Sequence, residues 1–87
     1  MRLSVTVNPN PFIGELFVSI TSDVTFNAVL RLIDTNKNVV RMIGSPLQHG
    51  ENTVYIKNLS KYAAGNYQLE IKLLNGELIE TTEVTKG

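Results

Sequence analysis

Tyr67-Gln68-Leu69-Glu70-Ile71-Lys72-Leu73-Leu74-Asn75-Gly76-Glu77-Leu78 is the stretch that decides the fold. Tyr67, Leu69, Ile71 and Leu73 alternate with Gln68, Glu70 and Lys72, dividing the side chains between two faces with the period of two that marks a strand. Asn75 and Gly76 then separate two apolar runs, and both tolerate the positive φ that the central residues of a type I′ turn require. A hairpin follows, with Leu78 to Val84 as its second strand. Glu80, Thr81, Thr82 and Glu83 make that strand polar enough for the edge of a sheet.

The same period recurs upstream. Leu3, Val5 and Val7 alternate with Ser4 and Thr6; Leu16, Val18 and Ile20 with Phe17 and Ser19; Ala28, Leu30 and Leu32 with Val29 and Arg31. Val39 to Ile43 is a fourth run, and Asn52 to Lys57 a fifth with Val54 and Ile56 on one face. Prolines break the first run from the second at Asn8 to Pro11, Asp34 to Asn38 is a polar turn, and Gly44 to Gly50 with Pro46 is expected as a longer loop. Leu59, Tyr62 and Ala63 in the Asn58 to Gly65 connection allow one helical turn. The 30 β-branched and aromatic residues against three alanines favour strands throughout. Seven short strands in 87 residues predict a single all-β unit, an immunoglobulin-like antiparallel β-sandwich spanning residues 1–87. Tyr67, opening the strongest strand two positions after Gly65, is placed for a tyrosine corner, its ring in the core and its hydroxyl bonded to backbone a few residues upstream.

Composition narrows the chemistry. Eight basic and eight acidic residues leave no net charge to recruit nucleic acid or an anionic membrane. Without cysteine there is no disulfide, zinc-thiolate site or iron-sulfur cluster. No apolar run reaches the roughly 18 residues of a membrane span, and MRLSVTVNPNPF lacks the pattern of a secretory signal. The one histidine, His49, lies in a Pro-Gly loop with no marked nucleophile or acid partner, and the six glutamates fall in turns or on outward strand positions. Asp34-Thr35-Asn36-Lys37-Asn38 opens like a calcium loop, but Val39 stands where the turn glycine belongs and Ser45 where the bidentate glutamate belongs. Turn chemistry explains it better. Asn58-Leu59-Ser60 is a formal glycosylation sequon of a kind common by chance. The expectation is a non-enzymatic chain with no cofactor and no metal.

A longer pattern joins these pieces: Asn8-Pro9-Asn10-Pro11-Phe12, then Leu32-Ile33-Asp34, Val39-Val40, Gly50-Glu51-Asn52 with Val54, Ile56 and Leu59, then Ala64-Gly65-Asn66-Tyr67 and a late Lys86. In order and spacing it resembles the C-terminal sorting domain of type IX secretion, from residue 8 almost to the end. The resemblance implies an immunoglobulin-like signal domain on a secreted cargo. Such domains direct the cargo through the periplasm and an outer-membrane translocon to the cell surface, are bound by a shuttle protein, and are commonly removed by a sortase. Carried over by position, Pro9, Asn10 and Pro11 mark the first turn, Asp34 the polar turn, Gly50 and Asn52 the start of strand five, Leu59 the following connection, Gly65 and Tyr67 the corner, and Val84, Thr85 and Lys86 the terminal signal. That signal is expected to be accessible at an exposed edge. Lys37 and Asn38 depart from the family's usual glycine and lysine, and the tail has fewer apolar residues than usual. Two alternatives stand beside it. One is a structural immunoglobulin-like module, as in flagellar hook-cap proteins, that self-associates through edge strands. The other is a carbohydrate-binding sandwich, for which Phe17 and Tyr55 are the only outward aromatic candidates.

Overall fold

A computed structural model describes every residue from Met1 to Gly87. Seven strands follow in order: β1 Leu3–Asn8, β2 Leu16–Ser22, β3 Phe26–Ile33, β4 Val39–Leu47, β5 Gly50–Ile56, β6 Gly65–Leu73 and β7 Leu78–Lys86. They form a three-stranded sheet, β1-β2-β5, and a four-stranded sheet, β4-β3-β6-β7, antiparallel at every pairing. This is the immunoglobulin-like β-sandwich. Its radius of gyration, 12.3 Å, is that of a single compact body of this length, about 12 Å.

Alternation sets what is buried. Leu16, Val18 and Ile20 of β2, Ala28, Leu30 and Leu32 of β3, Val54 and Ile56 of β5, and Tyr67, Leu69 and Ile71 of β6 meet between the sheets. Phe12, Leu47, Leu59 and Val84 complete the core, though no alternating set announced them. Leu3, Val5 and Val7 are only half-buried, because β1 is an edge strand whose counterpart in the other sheet, β7, turns Glu80 and Thr82 to the inner face. Leu73 is half-buried too, at the open end of β6.

Three local expectations are corrected. β4 runs on through Gly44 and Pro46 to Leu47, leaving Gln48 and His49 as its link to β5. Pro46 is tolerated because β4 is an edge, where the missing N–H breaks no interior ladder. The β6–β7 hairpin is not the two-residue form: Gly76 N–H donates to Leu73 O at 2.9 Å, Leu73 N–H to Glu77 O at 2.9 Å, and Gly76 alone takes a positive φ, 93°. That is a three-residue connection closed by a glycine. Glu70 is not a freely solvated carboxylate; it lies half-buried opposite Arg31, 3.6 Å from the guanidinium and 3.9 Å from Lys72 Nζ.

The Asn58 to Gly65 crossover makes a single turn, Tyr62 N–H to Leu59 O at 3.1 Å. It is braced against β4 from both sides. Arg41 donates to Lys57 O at 2.8 Å and to Asn58 O at 3.2 Å, while the Tyr62 hydroxyl donates to Val40 O at 2.8 Å.

Candidate functional site

One end of the sandwich gathers most of the residues singled out in the sequence. After β1 the chain leaves its sheet at Pro9, with both Asn8–Pro9 and Asn10–Pro11 peptide bonds cis, and crosses to the last residues of β7. Phe12 forms a parallel bridge there, its N–H donating to Thr85 O at 2.8 Å and its carbonyl accepting from Gly87 N–H at 2.8 Å. Asn10 adds a third bond, its Oδ1 accepting Thr85 N–H at 2.9 Å. The Phe12 ring is fully buried and meets Tyr67 edge to face, 5.9 Å between centroids.

Tyr67 closes the corner. Its hydroxyl donates to Ala63 O at 2.7 Å, pinning the crossover that leads into β6. Burial raises the phenol pKa above its ordinary value, with the Asp34 carboxylate and the Tyr62 phenol acting in the same direction. Leu59 is buried beneath the same connection and donates its N–H to Gly14 O at 2.9 Å. Gly65 has φ 144°, and nothing lies within 4 Å of where a Cβ would sit. Backbone conformation, not close approach, is therefore what calls for glycine there.

The terminal residues do not lie as expected. Val84 sits opposite Tyr67 in the core, and Lys86, opposite Gly65, is only 6% exposed with Nζ donating to Gly87 O at 2.9 Å. Only Thr85 of the three faces solvent, beside Asn66. The cause is alternation: Thr82, Val84 and Lys86 share the inner face of β7, and Phe12 covers its end.

Asp34 stands at the same end, where its Oδ1 accepts the N–H groups of Asn36 and Asn38, each at 2.9 Å. Lys37 takes φ 70° in this turn, the conformation for which glycine is best suited. A polar cleft of about 180 Å³ opens between the turn and β6–β7, lined by Asp34, Thr35, Lys37, Asn66, Gln68 and Glu83 around Tyr67. Gly50 and Asn52 lie at the opposite end. The Asn52 amide donates to Gln48 O at 2.9 Å, Gly50 O at 3.1 Å and Ile20 O at 3.2 Å, and its Oδ1 accepts Gln48 N–H at 2.9 Å, so it folds the β4–β5 link onto β2.

No family model matches the chain, and no curated protein matches its sequence. The site therefore rests on its own geometry. Ten of the residues singled out, Pro9, Asn10, Pro11, Asp34, Leu59, Gly65, Tyr67, Val84, Thr85 and Lys86, share one end, where Asn10 and Phe12 clasp the last strand, Tyr67 packs on Phe12, and Asp34 and Leu59 belong to the neighbouring turn and crossover. Asp34 spends its oxygen on its own turn, and His49 lies exposed at the far end, its backbone N–H bonded to Thr25 Oγ1 at 3.3 Å. Sequence reasoning missed Phe12 as the centre of the clasp. Its only signal was an aromatic residue following two prolines.

Proposed function

We propose that the chain is a non-catalytic C-terminal sorting domain of the type IX kind, which carries an attached cargo through the outer-membrane translocon by way of its shuttle protein, with sortase removal and surface anchoring to follow. One observation carries the reading: the two ends of the motif, Asn10 and Phe12 at its start and Thr85 and Lys86 at its finish, are joined in a clasp that fixes the last strand. A signal of this kind is a surface held in place by a core. The receptor then reads the exposed parts of the clasped end, Thr85 and Asn66 on β7 and β6 and the turn after Asp34, while Val84 and Lys86 serve the fold.

The test is a fusion of residues 1–87 behind a periplasmic reporter in a bacterium with type IX secretion. The intact fusion is expected outside the cell. Thr85→Lys with Asn66→Lys changes the exposed surface without touching the core, and is expected to hold the folded fusion in the periplasm. Deleting Val84 to Gly87 is a poor test, because it removes a core valine and the partners of Asn10 and Phe12. An intact fusion that folds, resists proteolysis and still stays in the periplasm defeats the sorting reading. A structural module that self-associates is then the reading left, supported by the exposed Val39 and Met42 on the open β4 edge. Sedimentation of the isolated chain tests it.

A further inference from the structure

The outer face of the three-stranded sheet presents its side chains in straight rows. Register places Asn8, Phe17 and Tyr55 in one row and Thr6, Ser19 and Thr53 in the next, about 7 Å along the strands. Phe17 and Tyr55 are not isolated surface aromatics: they meet edge to face across β2 and β5, centroids 5.2 Å apart and planes at 84°. Tyr55 is 59% exposed on an edge strand, so the pair fixes a ring that remains open to solvent. The hydroxyls of Thr6, Ser19 and Thr53 are exposed, and the side-chain hydrogen bonds of the protein run elsewhere.

We propose that this face binds a neutral glycan chain. One sugar ring lays its C–H face on Tyr55, and the hydroxyls of the next exchange hydrogen bonds with the Asn8 amide and the Thr6, Ser19 and Thr53 hydroxyls. Each of those groups both donates and accepts, which matches a polyhydroxylated ligand. Charge decides among occupants. These two rows carry none; Glu51 lies in the row beyond, and exposed Glu15 and Lys57 flank the aromatic row on the other side, so a polyanion finds one lysine set against two carboxylates and a basic segment finds only marginal acidic groups. An uncharged ligand with apolar ring faces and hydroxyl rims fits both halves of the surface. The inference is independent of the sorting reading, since it draws on the opposite sheet from the clasp.

Affinity electrophoresis of the full chain tests it, in gels containing hydroxyethylcellulose or galactomannan, with a polygalacturonate gel and a plain gel beside them. Retardation is expected in a neutral gel and should survive about 0.5 M salt, where surface electrostatics is largely screened. Tyr55→Ala should lower the association constant about tenfold or more, while Tyr55→Phe, which keeps the ring, stays within about threefold of the parent. Thr53→Val keeps the shape of an exposed strand residue and removes one hydroxyl, so it reports on the face even if Tyr55→Ala proves unstable on heating; a loss of about threefold is expected. The proposal is overturned by mobility unchanged in both neutral gels, by retardation confined to polygalacturonate or abolished by salt, or by folded Tyr55→Ala or Thr53→Val running like the parent.

Discussion

Single hydrogen bonds at the two ends of the sandwich hold side chains that read differently in isolation. Tyr67→Phe removes one hydroxyl and leaves the ring against Phe12, so the loss reports the 2.7 Å bond to Ala63 O alone. A lower denaturation midpoint worth about 1–2 kcal/mol is expected, with the circular dichroism of the parent. An unchanged midpoint would show that water replaces Ala63 at no cost. Asp23 supplies a pH signature instead. Its Oδ1 accepts Arg2 N–H at 2.8 Å, and that bond, with help from the nearby amino terminus and Arg2, outweighs desolvation and holds the carboxyl below its ordinary 3.8. A lowered folded-state pKa means that the contribution is whole above 3.8 and fades as the pH falls below it. Acid titrations of thermal stability should therefore be shallower for Asp23→Asn than for the parent. Parallel curves would assign the acid response to other carboxylates.

At the scale of elements, the β6–β7 hairpin makes the sharpest demand on one residue. Gly76 has φ 93° and open space around its would-be Cβ, so Gly76→Ala meets backbone strain and no clash. Denaturant unfolding should show a loss of about 1–2 kcal/mol, and a loss near zero would mean that the turn relaxes to another form. The strands themselves were legible because a sandwich with one buried face per sheet writes its period of two into β2, β3, β5 and β6. The extent of β4 was not. Gly44 and Pro46 read as a break unless it is known that the strand lies at an edge, and strand order is a long-range property. The hairpin form escaped for a related reason: Asn75 tolerates a positive φ without requiring one, and here its Oδ1 accepts Glu77 N–H at 2.9 Å instead.

For the whole molecule, the clasp ties the first connection to the last strand across 75 positions of sequence, and no local pattern could announce it. Lys86 looked like an exposed terminal charge for that reason; its burial depends on Phe12, whose partner is fixed only when both sheets are in place. The pairing of Phe17 with Tyr55 likewise needs the β2–β5 register. Two substitutions separate the parts of the clasp. Phe12→Ala opens a cavity beside Tyr67 and should cost about 3–5 kcal/mol, much of the roughly 5–15 kcal/mol that holds a small domain folded. Asn10→Ala takes away only the acceptor for Thr85 N–H, so the core packing of Phe12 survives. Hydrogen exchange distinguishes the two. In Asn10→Ala the amides of Thr85 and Gly87 should exchange faster while those of Leu69 and Ile71 keep their protection, because the end of β7 opens without the sheet. In Phe12→Ala all four should accelerate together, since the loss falls on global stability. If Asn10→Ala leaves Thr85 as protected as before, the bridge through Phe12 holds β7 unaided and the amide of Asn10 is no part of the clasp.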